Sequence, residues 1–202
     1  MIRRPPRSTQ GVSSAASDVY KRQGMGGLWG RYDLLDSLRS IQSGGQTVET
    51  SHYDSMKWAG PPSRFEGGLG NFAGMIASGK AIDYLSKLDM NAVHEHEIKL
   101  NRIITDKIKH LDAIEIIGPE DPTHRGGICS ILMGDLPSHD IAILLDEAAG
   151  VMVRSGQHCV HSWFNARGHQ NGSLRASAYF YNTEEDANLF ADTFTEAVEA
   201  FG

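Results

Sequence analysis

One cysteine lies between two arginines in residues 151–182, VMVRSGQHCVHSWFNARGHQNGSLRASAYFYN: Arg154 before Cys159, and Arg175 after it. Each arginine stands at the edge of an apolar, β-branched or aromatic run, so each is expected to flank a strand. Cys159 lies between those runs in a polar, glycine-bearing loop. A lone exposed thiol near permanent cations is placed to react as a thiolate. A guanidinium is the side chain best shaped to hold a carboxylate through two parallel hydrogen bonds. Residue types and spacing together point to a cysteine nucleophile beside a carboxylate clamp. The plainer reading of a free cysteine, a small buried hydrophobe, suits Cys129 in GGICSILM. Cys159, with Gly156, Gln157, His158 and His161 around it, is expected to be exposed.

Two other groupings invite chemistry. His158, Cys159 and His161 offer three metal-binding side chains within four residues, with His169 further on. A structural zinc site takes four ligands in tetrahedral array; so short a stretch does not close easily on one ion, and no metal is expected. GGLGN, residues 67–71, opens a helix whose free N–H groups attract phosphate. Gly68, Gly70 and Ala73 even satisfy G-x-G-x-x-A, but no strand precedes them and no βαβ unit surrounds them. The run HEHE at 94–97 reads as a solvated helix face.

The elements that must position these residues follow from periodicity. A short glycine-flanked strand is expected over 24–32, then a helix from Asp33. Residues 43–62 read as a polar connection with strand character near 47–50. Helices follow over 71–88, with Asn71 as N-cap, and over 90–111. Strands are expected over 114–117 and 128–133, a helix over 139–149, and strands over 151–154 and 174–181. A helix over 184–201, capped by Thr183, closes the chain. Strands and helices alternate without internal repeat, so the class is α/β or α+β, a small sheet with helices against it.

Composition narrows the function. At 202 residues, 40% of them hydrophobic, the chain is long enough to bury a core. No apolar run reaches the roughly 18–20 residues that span a bilayer, so no membrane partner is expected. Two cysteines make no disulfide framework, which suits a reducing cytoplasm. Residues 1–23 hold Arg3, Arg4, Arg7, Lys21 and Arg22 against one acid, Asp18; the rest carry 14 basic and 24 acidic side chains. An acidic body argues against a nucleic-acid partner. The first 23 residues, rich in Pro, Ser, Arg and Gln and without periodicity, read as a disordered, non-native leader similar to translated adaptor sequence.

RSGQHC followed by SLRASAYFYNTEEDANLF resembles the C-terminal signature of cysteine desulfurases of the SufS-like branch, pyridoxal-phosphate (PLP) enzymes of the class V aminotransferase family. GMGGLWGRYDLL, PSRFEGGLGNFAGMIASGKAIDYL and IEIIGPED fit the same pattern in the same order, so the resemblance covers residues 24–202. It implies an α/β fold, the C-terminal part of a PLP-dependent transferase. Residues 24–70 would end the large domain, and 71–202 would supply a linking helix and a small α+β domain with a mixed sheet. By resemblance, Cys159 accepts sulfur from L-cysteine as a persulfide, Arg175 grips the substrate carboxylate, and Arg154 is a second active-site arginine. Gly68, Leu69 and Gly70 would reach the PLP phosphate of a partner subunit through backbone N–H, because Leu69 replaces the usual threonine. Arg64 and Glu66 match positions of an ion pair. The resemblance further implies a homodimer and a sulfur-acceptor scaffold protein for iron–sulfur assembly. The Schiff-base lysine of the family falls inside the leader, near Asp18, where no lysine stands, and Lys21 is out of register. As given, the chain reads as an inactive fragment with exposed apolar surface. A selenocysteine lyase, another class V enzyme, or a non-catalytic thiol or metal-binding domain are the rival readings.

Overall fold

The computed structural model describes residues 26–201; the expected leader, with Lys21, lies outside the described residues. The described chain forms two compact units divided between Leu85 and Ser86, so the helix expected to open the small domain groups with the residues before it.

In the first unit, residues 26–31 form no strand, contrary to expectation: three glycines in GGLWG supply little to pack on a pleated surface. A short helix α1 (Tyr32–Ser37) comes next, then an antiparallel hairpin of β1 (Val48–Ser51) and β2 (Met56–Trp58). A 3-10 turn (Ser63–Phe65) leads to α2 (Phe72–Leu85). Asn71 caps α2, its Oδ1 accepting from the Gly74 N–H at 3.0 Å. Arg64 pairs with Asp36, at 3.1 Å, and not with Glu66. It also donates to the carbonyls of Ala59 (2.8 Å) and Asp36 (2.6 Å), tying the hairpin exit to α1. No side chain of α2 is buried, and Trp29, Ile41, Tyr53, Leu69 and Ile76 are exposed, the apolar surface that the sequence led us to expect.

The second unit holds the core. Helix α3 (Met90–Ile108) starts at Asp89, whose carboxylate accepts from the Asn91 and Ala92 N–H groups. Strands β3 (Glu115–Ile117) and β4 (Ile128–Leu132), helix α4 (Ser138–Ala149), β5 (Arg154–Gly156), helix α5 (His161–Ala166), β6 (Ser173–Ser177) and helix α6 (Glu184–Phe201) follow. The sheet order is β3-β4-β6-β5. All three ladders are antiparallel, which corrects the expected mixed sheet. β4 and β5 do run the same way, joined through α4, but β6 is inserted between them, so no parallel pair forms.

Packing follows from two periods. Leu100, Ile104 and Ile108 recur every four residues on α3, and Ala187, Phe190, Ala191, Phe194 and Val198 make one face of α6. Phe190 and Phe194 stack at 5.5 Å. On the strands the inward set alternates: Cys129 and Ile131 on β4, Leu174 and Ala176 on β6. The residues between them, Ser130 and Arg175, therefore belong to the other face of the sheet, and Arg154 pairs with Arg175 there. Burial pushes the Cys129 thiol up to about 11.

Two boundaries move for local reasons. The strand expected over 151–154 starts only at Arg154, because Val151 donates to Leu145 O as part of the α4 terminus around left-handed Gly150 (φ 63°). The strand expected to reach Tyr181 stops at Ser177. Asn182 Oδ1 takes the Tyr179 N–H at 3.0 Å and the Asn182 N–H goes to Tyr179 O, closing a turn instead. The α6 cap is reciprocal: Thr183 Oγ1 accepts from the Asp186 N–H, and Asp186 Oδ2 accepts from the Thr183 N–H.

Candidate active site

Three residues singled out by sequence, Arg154, Cys159 and Arg175, lie together in the second unit. Arg154 and Arg175 are direct partners in the β5–β6 ladder and are both half-buried. Burial pushes the Arg175 guanidinium below its ordinary value, the Arg154 charge adds to the shift, and a Cys159 thiolate opposes it. The Cys159 thiol and the Arg175 guanidinium thus influence each other electrostatically. Two guanidinium groups on one rung of a ladder repel unless an anion lies between or beside them. A carboxylate, with two oxygens in one plane, is the small anion that their forked donors fit.

Cys159 is exposed, as expected, and Cys129 is buried. The thiol sits on a tight turn: Gln157 O accepts from the Val160 N–H at 2.9 Å, and the two central residues, His158 (φ 49°) and Cys159 (φ 65°), both have left-handed backbone. Positive φ at both central positions is the mirror-image turn geometry that glycine and asparagine usually supply, and neither residue is glycine. Helix α5, which the sequence did not announce, follows at once. Its Phe164 is buried, packs edge-on against Trp163 at 5.0 Å, and Arg167 lies 4.3 Å from the Trp163 ring centroid.

The base of the turn is fastened from three sides. The Gln157 side chain donates to Gln170 O at 2.8 Å and to Asn165 Oδ1 at 3.3 Å. A Cβ on Gly172 (φ 72°) would sit 2.4 Å from the Gly156 carbonyl carbon and 2.9 Å from the Gln157 nitrogen, so only glycine lets the two backbones approach this closely. His158 Nε2 lies 3.0 Å from Ser173 Oγ. Burial first, then the Arg175 and Arg154 charges, bring the His158 imidazole down to about 4. Ser173 and Gly172 carry no chemical signature and were not legible as site residues. The sequence places His158 as a solvent-facing neighbour, whereas its ring is partly buried. Among the described residues no group of three or more His, Cys, Asp or Glu gathers as a metal site.

The glycine loop belongs to the first unit. Gly68 donates its N–H to Gly45 O at 2.9 Å, so this amide already has a partner within the chain. The Leu69 and Gly70 amides are left as the loop's candidates. In the HEHE run, which was read as wholly solvated, His96 Nε2 lies 2.8 Å from Asn182 O. Glu97 is half-buried, and burial raises its carboxyl above the ordinary value.

The family profile described as aminotransferase class-V matches residues 14–190. The chain belongs to the class-V aminotransferase family. Within that family it is 34% identical over 183 residues to a probable cysteine desulfurase of Chlamydia muridarum, covering 91% of this chain and 45% of that protein. It is equally 34% identical over 175 residues to one from Methanothermobacter thermautotrophicus, covering 86% and 43%. The solved apo cysteine desulfurase of Thermococcus onnurineus matches at 30% identity and a TM-score of 0.76, over 84% of this chain and 42% of that one. The Escherichia coli cysteine desulfurase CsdA gives the same TM-score at 24% identity, over 85% and 42%, a likeness of fold. The class-V chain described here thus spans less than half the length of the relatives it matches.

Proposed function

We propose that this chain is the sulfur-accepting, carboxylate-holding part of a cysteine desulfurase. The observation that supports the reading is the Arg154–Arg175 rung beside the exposed Cys159 turn. In this reading Arg175, with Arg154 opposite, holds the carboxylate of L-cysteine and so fixes the substrate by the end that does not react. The Cys159 thiolate attacks the substrate's sulfur. A sulfur–sulfur bond forms on Cys159, and the carbon–sulfur bond breaks with its electron pair left on the carbon side. Protonation there gives L-alanine, and the Cys159 persulfide passes its outer sulfur to an acceptor protein for iron–sulfur assembly in the cytoplasm. Two thiols without a disulfide partner suit such a reducing compartment.

The family implies PLP. The ring of that cofactor needs a lysine amine, a carboxylate and a stacking group. The described residues do not fit it: Lys57, Lys80, Lys99, Lys107 and Lys109 are each engaged in surface ion pairs, with Glu49, Asp83, Glu184, Asp192 and Asp106, and Lys87 is exposed on the surface. The fit reaches only the phosphate end, through the Leu69 and Gly70 amides, and a homodimer would bring such a loop to a partner's cofactor. We therefore assign the isolated 202-residue chain no turnover of its own.

The test uses the whole protein that carries this chain. Cys159→Ser is expected to abolish transfer of sulfur from L-cysteine, with loss of the persulfide on the peptide holding residue 159 by mass spectrometry. Arg175→Lys is expected to raise KM for L-cysteine about tenfold or more, the loss of one bidentate contact. Sulfur transfer that persists in Cys159→Ser would overturn the proposal.

A further inference from the structure

The tight turn carrying Cys159 is costly as built, since neither central residue is glycine. Asparagine, aspartate and histidine are the non-glycine residues that most often take left-handed backbone, and position 158 carries the largest of them. Its imidazole is partly buried, with its ring centroid 6.3 Å from that of Phe164 and tilted by 54°. One ring nitrogen meets Ser173 Oγ at 3.0 Å; the other, Nδ1, is buried with no hydrogen-bond partner. A buried polar atom without a partner costs free energy, so a ring kept there is doing something a smaller residue could not.

Its anchor explains what. Ser173 is fully buried, opens β6 and pairs with Gly156 in the ladder; two residues on, Arg175 pairs with Arg154. The His158–Ser173 contact therefore hooks the thiol-bearing turn back onto the strand that carries the cation pair. Phe164, from α5, closes the ring in from the following helix.

We propose, on the reading of Cys159 as sulfur acceptor, that His158 is a positioning residue whose imidazole, anchored on Ser173 and packed against Phe164, holds the Cys159 thiol beside the Arg154–Arg175 pair. It acts through geometry and touches no substrate.

The test needs neither cofactor nor turnover. The purified 202-residue chain is alkylated with iodoacetate, which carries a carboxylate, and with iodoacetamide, which is neutral. Peptide mass spectrometry separates Cys159 from Cys129. The ratio of the two rates, divided by that of N-acetylcysteine, reads whether the thiol stands beside the cations. Wild type is expected to favour iodoacetate, and Arg175→Gln to remove that preference. His158→Asn, which tolerates the turn's backbone, and Ser173→Ala, which leaves the imidazole in place, are each expected to lower the preference by about fivefold, the scale of one weakened charge-assisted contact. The double variant should lose no more than either single one. Far-UV circular dichroism confirms that each variant folds, and Ser173→Ala carries the test should His158→Asn not fold. Folded variants that keep the wild-type preference overturn the role of His158 alone. A wild-type chain with no preference, unchanged by Arg175→Gln, overturns the reading of the site itself.

Discussion

Arg154 and Arg175 oppose each other across a single rung of the β5–β6 ladder, two cations on one face of the sheet. Like charges directly opposite each other destabilise a sheet, by up to about 1 kcal/mol. Arg154→Gln is therefore expected to weaken the hold on carboxylates while changing the stability of the ligand-free chain by no more than about 0.5 kcal/mol. Thermal melts with and without L-alanine would show both effects. A variant that melts below wild type without ligand would mean that the pair is a structural asset.

Cys129 gives a pH signature on the alkaline side. Its thiol ionises near 11 in the fold, raised by burial, against an ordinary value of 9.0. Between those values the unfolded chain has lost the proton and the folded chain keeps it, so stability falls as pH rises from about 9 towards 11. The loss from this one group is roughly 2 kcal/mol. Urea unfolding across that range should show the decline in wild type and a shallower one in Cys129→Ala, whatever the variant's own offset from the cavity it leaves.

His158 gives the opposite sign on the acid side. Its folded value of about 4 lies below the ordinary 6.5, so the unfolded chain takes up the proton first as pH falls. Its contribution is complete above 6.5 and is lost as pH drops through 4. The groups that set it are Arg154 on β5 and Arg175 on β6, both positive throughout, beyond the burial of the ring itself. Melting temperatures from pH 7 to 4 should fall less steeply in His158→Asn than in wild type. Parallel curves would show that the imidazole does not remain neutral in the fold.

Gly172→Ala should be severe for one glycine. The added methyl meets the Gly156 carbonyl at under 3 Å and the backbone is left-handed, so both sterics and φ oppose it. A loss of about 2 kcal/mol is expected, together with slower labelling of Cys159 by iodoacetate. Denaturant midpoints and labelling rates measure the two separately; a change in neither would mean that the loop yields at no cost.

Much of this was legible beforehand because periodicity carries it. The faces of α3 and α6, the buried Cys129, the exposed Cys159, and the capping roles of Asn71 and Thr183 all follow from residue order. What escaped depends on contacts between distant residues. Helix α5 is short and opens on polar His161 and Ser162, so its apolar signal reduces to Trp163 and Phe164. Ser173 looks like any strand-end serine until His158 reaches it, and Gly172 looks like any turn glycine until Gly156 lies against it. Arg64 found Asp36, from 28 residues upstream, because α1 brings that carboxylate to the hairpin exit and no sequence spacing encodes the meeting. The antiparallel sheet was missed for a related reason: alternation along a strand reports which face is buried, and says little about which neighbour it joins.

The insertion of β6 between β4 and β5 has a consequence for how the protein is made. Among the described residues, β5 has only β6 as a neighbour in the sheet, and β6 is the last strand. As the polypeptide emerges from the ribosome, the β3–β4 hairpin and α4 can assemble while β5 still waits for its partner. The thiol turn is synthesised before the strand that anchors it, and Cys159 comes into its surroundings only when the final strand slots into the middle of the sheet. Until then the nascent chain carries a bare thiol without its neighbouring pair of cations, and reactivity of the assembled kind arrives only once β6 has taken its place.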